Sequence, residues 1–176
     1  MGDVNKAIET DALQDNTGIN ISDKNEHYGE LTGYYWVLNN FLNATKSEYI
    51  GFCQPYRFLD FNIDGKSLLP FRPIFIANFV KSFMKSTDEN VLAQIQDFAV
   101  VLPQKTNVEK TVYDEWMKDV DKEDFDLALS VIREISPDYS TAIDEFIASD
   151  SMYLFGSFVM KTELMTEFLS WMFDIF

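Results

Sequence analysis

The chain has 176 residues, of which 47% are apolar and 15% aromatic, and its formal net charge is −15. A chain of this length can bury about two-thirds of its unfolded surface, and so many aromatic residues are not typical of a disordered chain. A charge this negative disfavours nucleic acid and anionic lipid surfaces as partners. There is no stretch of roughly eighteen apolar residues and no apolar signal-peptide core, so we expect no membrane span and a cytoplasmic protein.

The first part of the chain predicts a loop followed by a helix. Residues 1–17 are polar with little periodicity and are expected to be a flexible lead-in, with residues 18–176 forming a single domain. The segment Gly18–Asn25 is rich in turn formers and in side chains that bond to backbone or ligand, which favours a structured loop. Apolar and aromatic residues then recur at three- and four-residue spacing, which predicts a helix from about Glu26 to Asn43.

A short strand is predicted next. The segment Glu48–Cys53 is typical of a buried strand, and Pro55 is expected to end it. Cys53 is the only cysteine, which excludes an internal disulfide, and its apolar neighbours predict a buried, inert thiol. The strand would present three polar or charged residues at its C-terminal end: Gln54, Tyr56 and Arg57.

The remainder of the chain alternates helices and strands, which predicts an α/β domain. Asp64-Gly65 between alternating apolar positions indicates a hairpin within Phe58–Leu69. The further predicted elements are helices from Pro73 to about Lys85 and over Glu89–Gln96, a strand over Phe98–Leu102, helices over Asn107–Val120, Lys122–Ile135 and Pro137–Ala148, a strand over Tyr153–Met160 and a closing helix over Thr162–Phe176.

The closing helix is apolar on most of its circumference and must therefore be covered. Three explanations stay open: burial against this domain, a protein partner, or a segment that normally comes after it. The helix is accordingly also the expected place for a protein partner, if there is one.

Generic chemical motifs are scarce. His27 is the only histidine, so triads and zinc sites built on two histidines are excluded. Asp60, Asn62 and Asp64 have the spacing of a calcium loop, but its twelfth place holds Phe71 instead of glutamate, so the hairpin is favoured. The same three side chains leave a divalent metal open without supporting it, and no cofactor is indicated. Phosphate-binding glycine loops and Gly-x-Ser-x-Gly elbows are absent.

The segment from Asn20 to Arg57 is therefore the expected ligand site, since it joins a polar loop, a helix and a strand end. Arginine is scarce, with only three in the chain, and Arg57 and Arg72 flank the predicted hairpin. A phosphate-binding site would most economically use those two.

Longer motifs in the same segment carry a resemblance. These are Gly18-Ile-Asn-Ile-Ser-x-Lys-Asn25, Tyr28-x-Glu-Leu-Thr-x-x-Tyr-Trp36, Tyr49-Ile-Gly-Phe-Cys53 with Tyr56-Arg57, and later Phe158-Val-Met-Lys161 and Phe168-x-x-Trp-Met-Phe-Asp-Ile175. Together they resemble a bacterial glycosyltransferase-like family of unknown specificity from capsular, exopolysaccharide and lipopolysaccharide synthesis clusters.

The resemblance implies a mixed sheet flanked by helices, similar to the nucleotide-diphospho-sugar transferases with a GT-A-like fold. It implies a sugar-nucleotide donor and a glycan acceptor, with the donor site lined by Asn20, Ser22, Asn25, Glu30 and Arg57. An arginine fork matches phosphate oxygens and can stabilise the charge of a departing diphosphate. No catalytic residue is implied.

The chain also departs from the family pattern. Gln54-Pro-Tyr-Arg57 stands where the family has His-Tyr-Arg-Arg, and Ile19 stands where it has aspartate. The strand with which family members begin is missing, so we expect a fold incomplete at its N-terminus, either a fragment or a reduced relative. These departures favour a second hypothesis, a non-catalytic relative that acts as a binding or scaffolding module. A third is an interaction protein that docks through its closing helix.

Overall fold

The computed structural model describes residues 13–54, 92–93, 95–153 and 156–176. They fall into two compact units, one from the described parts of Met1–Tyr49 and Lys161–Phe176, the other from the described parts of Ile50–Met160. Helices and short strands alternate along them, which confirms the α/β class. Within these ranges, no helix has both the length and the apolar character needed to cross a membrane.

The predicted helix from Glu26 to Asn43 is present in interrupted form. Its parts are α1 at Asn25–Tyr28, α2 at Leu31–Trp36 and a π turn at Val37–Phe41. A 3-10 turn at Ser22–Lys24 comes before them, inside the predicted loop. The interruption lies at Gly29, whose φ of 53° and ψ of −127° end α1 in a conformation that glycine adopts most readily. Apolar periodicity continues across the break, which is why the pattern predicted one helix.

The predicted closing helix is confirmed as a helix over Thr162–Ile175, which we name α6. Its buried residues follow helical spacing: Met165, Leu169 and Met172. Phe173 meets the Tyr35 ring edge-on at 5.1 Å, and the Tyr28 hydroxyl donates to the Phe176 carbonyl at 3.2 Å. One apolar side of the helix is thus covered within its own unit, where it packs on α2 and the π turn, which agrees with the first of the three explanations for its apolar character.

The strands are shorter than predicted. In the described part of the chain, three strands form one sheet: β1 at Tyr49–Phe52, β2 at Val100–Val101 and β5 at Phe158–Lys161, in the order β1-β5-β2. The β2–β5 pair is antiparallel, with Val100 opposite Met160. The strand predicted over Tyr153–Met160 therefore begins later than expected and ends one residue further on.

The prediction of a buried Cys53 was wrong, because its thiol is exposed. Exposure alternates along this segment: Ile50 and Phe52 are partly buried, whereas Gly51 and Cys53 are exposed. Side chains in a strand point alternately to opposite faces. The apolar neighbours therefore face away from the thiol and do not cover it.

Residues 108–150 of the second unit contain three helices: α3 at Val112–Trp116, α4 at Lys122–Ile135 and α5 at Ser140–Ala148, the last entered through a 3-10 turn at Pro137–Tyr139. The predicted bounds of the second of these are confirmed. Asp121 begins it by accepting from the Glu123 backbone N–H at 2.8 Å. Arg133 and Asp144 pair at 2.6 Å between α4 and α5. A hydrogen bond to Asp126 raises the pKa of Lys122.

The predicted start of the preceding helix at Asn107 was wrong. Thr106–Asn107 forms β3, which pairs antiparallel with β4 at Ser151–Met152. The helix starts only after Thr111, whose hydroxyl accepts from the Asp114 backbone N–H at 3.1 Å. Pairing with a distant segment overrides the local helical pattern here.

Other predictions lie largely or wholly outside the described residues. These are the hairpin over Phe58–Leu69, the helix from Pro73 to Lys85 and most of the helix over Glu89–Gln96. Of that last segment, Leu92, Ala93 and Ile95 are helical.

Replacing Leu169 with alanine tests the packing of α6. The side chain has no exposed surface, so Leu169→Ala is expected to lower the free energy of unfolding by about 2–5 kcal/mol through lost burial and the cavity it leaves. The neighbouring Ser170 is exposed, and Ser170→Ala should change it by less than about 0.5 kcal/mol. Urea unfolding followed by circular dichroism measures both. Equal effects of the two substitutions would contradict this packing.

Candidate functional site

The loop over residues 13–22 is held by side chains of α2 and the π turn. Trp36 donates its indole N–H to the Thr17 carbonyl at 2.8 Å. The Thr32 hydroxyl, in a residue only 1% exposed, donates to Asp15 Oδ2 at 2.6 Å. An irregular segment has no ladder to satisfy its backbone, so these contacts give it a defined course.

Asn40 makes the most specific contact with this loop. Its Nδ2 donates to the Ile19 carbonyl at 2.7 Å, and its Oδ1 accepts from the Ile19 N–H at 3.0 Å. The side-chain amide thus satisfies both backbone polar groups of one residue, as a neighbouring strand would. The second N–H of the amide donates to the Trp36 carbonyl at 3.0 Å.

Gly18 is required beside this contact for two reasons. Its φ of 58° lies in the left-handed region, which costs side-chain-bearing residues energy. A Cβ placed on it would lie 2.2 Å from Asn40 Oδ1, far inside van der Waals contact. The close approach of the Asn40 amide to the loop therefore depends on a residue without a side chain.

Two predicted donor-site residues, Asn20 and Ser22, are brought together by the loop. Asn20 Nδ2 donates to the Gly18 carbonyl at 2.9 Å, and its Oδ1 accepts from Ser22 Oγ at 2.9 Å and from the Ser22 N–H at 3.3 Å. Ser22 is only 8% exposed. Both side chains use their polar atoms within the loop and so determine its shape.

The predicted residues Asn25 and Glu30 lie on either side of the Gly29 break. Asn25 Nδ2 donates to the Gly29 carbonyl at 2.9 Å and to Thr32 Oγ1 at 3.1 Å, which joins α1 to α2. Glu30 is exposed. Of the four predicted donor-site residues within 13–54, Glu30 is the one with a charged side chain, and that side chain faces solvent.

The fifth predicted residue, Arg57, lies outside the described residues, as do Asp60, Asn62 and Asp64. The strand end before Arg57 is described in part: the Gln54 N–H donates to the hydroxyl of Ser157, a residue with no exposed surface, at 3.3 Å. In the ranges that the structure covers, no group of three or more His, Cys, Asp or Glu side chains is placed to hold a metal ion.

The charge of the loop region is unfavourable for an anionic ligand on its own. Residues 13–30 contain one lysine, Lys24, and four carboxylates: Asp15, Asp23, Glu26 and Glu30. A phosphate-bearing ligand that binds here needs positive charge from another segment.

Sequence reasoning missed four residues that hold the loop: Asp15, Thr32, Trp36 and Asn40. Asp15 falls in the segment expected to be a flexible lead-in. Thr32 and Trp36 belong to the motifs that carry the family resemblance, which was the available signal. Asn40 lies outside those motifs, and no sequence pattern indicates its contact with Ile19.

Comparison with solved structures places the fold among glycosyltransferase-like proteins. It is similar to the apo structure of WbbM, a bifunctional glycosyltransferase, with a TM-score of 0.75 and 28% sequence identity. The match covers 92% of this chain and 30% of that one, so the chain spans less than a third of the protein it resembles. No curated protein matches the chain.

The whole chain, residues 1–176, matches the family described as Domain of unknown function (DUF4422), and the protein belongs to that family. The resemblance to a glycosyltransferase-like family is thereby confirmed at this level.

The Gly18–Asn40 contact can be tested by a double-mutant cycle. Gly18→Ala is expected to lower the free energy of unfolding by about 1–2 kcal/mol for the left-handed backbone, plus the cost of the clash with Asn40. In an Asn40→Ala background the clash is gone, so Gly18→Ala should cost less, with a coupling of about 0.5–3 kcal/mol. Chemical denaturation of the four variants measures the coupling.

Gly33 provides the control for this cycle. It lies within α2, and a Cβ added there meets nothing within 4 Å. Gly33→Ala should therefore stabilise the helix by up to about 1 kcal/mol in both backgrounds. If Gly18→Ala costs the same with and without Asn40, the two residues are not in the contact described.

Proposed function

We propose that this protein is a glycosyltransferase with a GT-A-like fold that moves a sugar from a nucleotide-sugar donor to a glycan acceptor. The observation that carries the proposal is the match to WbbM, since 28% identity at a TM-score of 0.75 extends over 92% of this chain. The acceptor is proposed to be a capsular polysaccharide, exopolysaccharide or lipopolysaccharide, and the location cytoplasmic, as the family resemblance and the sequence predict.

In the proposed reaction, the bond between the anomeric carbon and the diphosphate oxygen breaks while an acceptor hydroxyl oxygen bonds to that carbon. The acceptor proton is released to solvent or a base, and a nucleoside diphosphate leaves with the bonding electrons. Stabilising its developing negative charge is the main task of the protein. Since residues 13–30 carry four carboxylates and one lysine, we assign this task to Arg57, whose guanidinium can bond two phosphate oxygens at once.

The other proposed donor-site residues divide into two groups. Asn20, Ser22 and Asn25 bond within the loop and α1, so we assign them the shape of the donor-binding surface. Glu30 is exposed, and its carboxylate can accept hydrogen bonds from donor hydroxyls. No catalytic base is assigned.

A non-catalytic relative that binds or scaffolds within a polysaccharide assembly complex is the second candidate. It is favoured by the altered strand end, where Gln54-Pro-Tyr-Arg57 departs from the family pattern. This candidate predicts binding of a donor or glycan without turnover, or no donor binding at all. A protein partner would then be sought on the exposed side of α6.

The role of Arg57 is tested with a panel of radiolabelled sugar nucleotides. The wild type is expected to hydrolyse or transfer one donor and to gain thermal stability with it. Arg57→Ala should lower kcat and reduce kcat/KM for that donor about tenfold or more, since hydrogen bonds between charged groups are worth about 1.5–3 kcal/mol and this one strengthens in the transition state. Initial rates over a range of donor concentrations measure KM and kcat.

The control is Arg133→Ala, which removes the same charge from the exposed pair with Asp144 and should leave kcat/KM unchanged. Absence of turnover and of any thermal shift in the wild type, across the whole panel, would sink the transferase proposal. A thermal shift without turnover would favour the non-catalytic candidate.

The role of Glu30 is tested by comparing two exposed carboxylates near the Gly29 break, Glu26 and Glu30. Glu30→Gln keeps the shape but weakens acceptance from sugar hydroxyls, so it should reduce donor affinity by about 1 kcal/mol or roughly fivefold. Glu26→Gln removes the same charge from α1 and should not. Isothermal titration with the bound donor gives both affinities, and equal values would count against a donor contact at Glu30.

A further inference from the structure

The π turn at the end of α2 places two adjacent asparagines in the same local structure. Its backbone bond runs from the Leu42 N–H to the Val37 carbonyl, five residues back, at 3.0 Å. Such turns interrupt the regular ladder of a helix and occur frequently at functional sites. Asn39 donates to the Tyr35 carbonyl at 2.9 Å, and Asn40 donates to the Trp36 carbonyl at 3.0 Å.

The two asparagines differ in what else they bond. In addition to its helix carbonyl, Asn40 bonds both backbone groups of Ile19. The contact joins residues 21 positions apart and is exposed to solvent. When it breaks, water can bond to the released groups, so the contact adds little to global stability. Its main consequence is the fixed position of Ile19.

The position of Ile19 also fixes the turn at Asn20–Ser22. Asn20 bonds back to the Gly18 carbonyl and forward to Ser22, so the turn over these residues is built on the segment that Asn40 holds. A loop that is ordered before its ligand arrives loses less conformational entropy on binding.

We propose that Asn40 is a positioning residue that holds the loop over residues 18–22 in its donor-binding conformation. The inference rests on the proposed function, because it takes the ligand of this loop to be a nucleotide sugar. Asn40 acts through Ile19 and the Asn20 turn and does not itself bond the donor.

The test compares Asn40→Ala with Asn39→Ala. Each substitution removes one side-chain bond to a helix carbonyl from the same π turn, but only Asn40→Ala releases the loop. Hydrogen exchange at the Ile19 N–H is expected to accelerate about tenfold or more in Asn40→Ala and to stay near wild type in Asn39→Ala. The donor KM should rise about tenfold in Asn40→Ala with kcat little changed, because loop ordering is then part of the binding free energy.

An isosteric variant, Asn40→Asp, guards against a general folding defect. It keeps the oxygen that accepts from the Ile19 N–H but cannot donate to the Ile19 carbonyl. Its second carboxylate oxygen faces the Ile19 and Trp36 carbonyls and is repelled by them, so its exchange rate and donor KM should exceed those of the wild type. Thermal unfolding of all variants shows whether they are folded at the assay temperature.

The outcomes separate this inference from the proposed function. If the wild type binds a donor but Asn40→Ala and Asn39→Ala change its KM equally or not at all, Asn40 does not position the site. If exchange at Ile19 is unaffected by Asn40→Ala, the contact does not hold the loop, and the inference is wrong. If the wild type binds no sugar nucleotide, the proposed function fails and the donor-positioning role fails with it, whatever the exchange contrast shows about the loop.

Discussion

The backbone of an irregular loop lacks the hydrogen-bond ladder of a helix or strand, and in the first described segment of this chain side chains of the following helical stretch bond part of that backbone. Asn40 serves both polar groups of Ile19, and Trp36 serves the Thr17 carbonyl. These donors and acceptors lie on one short helical stretch. The direction in which their side chains point therefore sets the course of the loop. The helix in turn is covered by the buried side of α6.

How much of this was predictable depends on whether the deciding interaction is local. The bounds of α4 followed from the sequence because Asp121 caps the helix and the apolar spacing within it is regular. The start of α3 did not, because Thr106–Asn107 pairs with Ser151–Met152, more than forty residues away in the chain. The exposed Cys53 shows the same limit: apolar neighbours were visible, but which face of the strand they occupy was not.

The same difference between local and distant interactions decides which parts of the candidate site were predictable. Motif resemblance pointed to the loop and to Asn20, Ser22 and Asn25. In the structure, Asn20 bonds to Ser22 and Asn25 bonds to Thr32, all within the first unit. It also shows that their polar atoms are largely occupied, which the sequence could not reveal. The residues that hold the loop in place, Asp15 and Asn40, carry no spacing signal, since each acts through a contact between segments distant in sequence.

The proposed donor site takes its shape and its positive charge from different parts of the chain. The loop over residues 13–22 is shaped by bonds within it and by side chains of α2 and the π turn, but residues 13–30 carry four carboxylates against one lysine. A nucleotide sugar is an anion, so a surface of this composition would repel its diphosphate while offering acceptors to its hydroxyls. The two ends of such a donor therefore require different surroundings, and the basic group must come from outside the loop. The proposed function therefore assigns the diphosphate to Arg57, one of only three arginines in the chain.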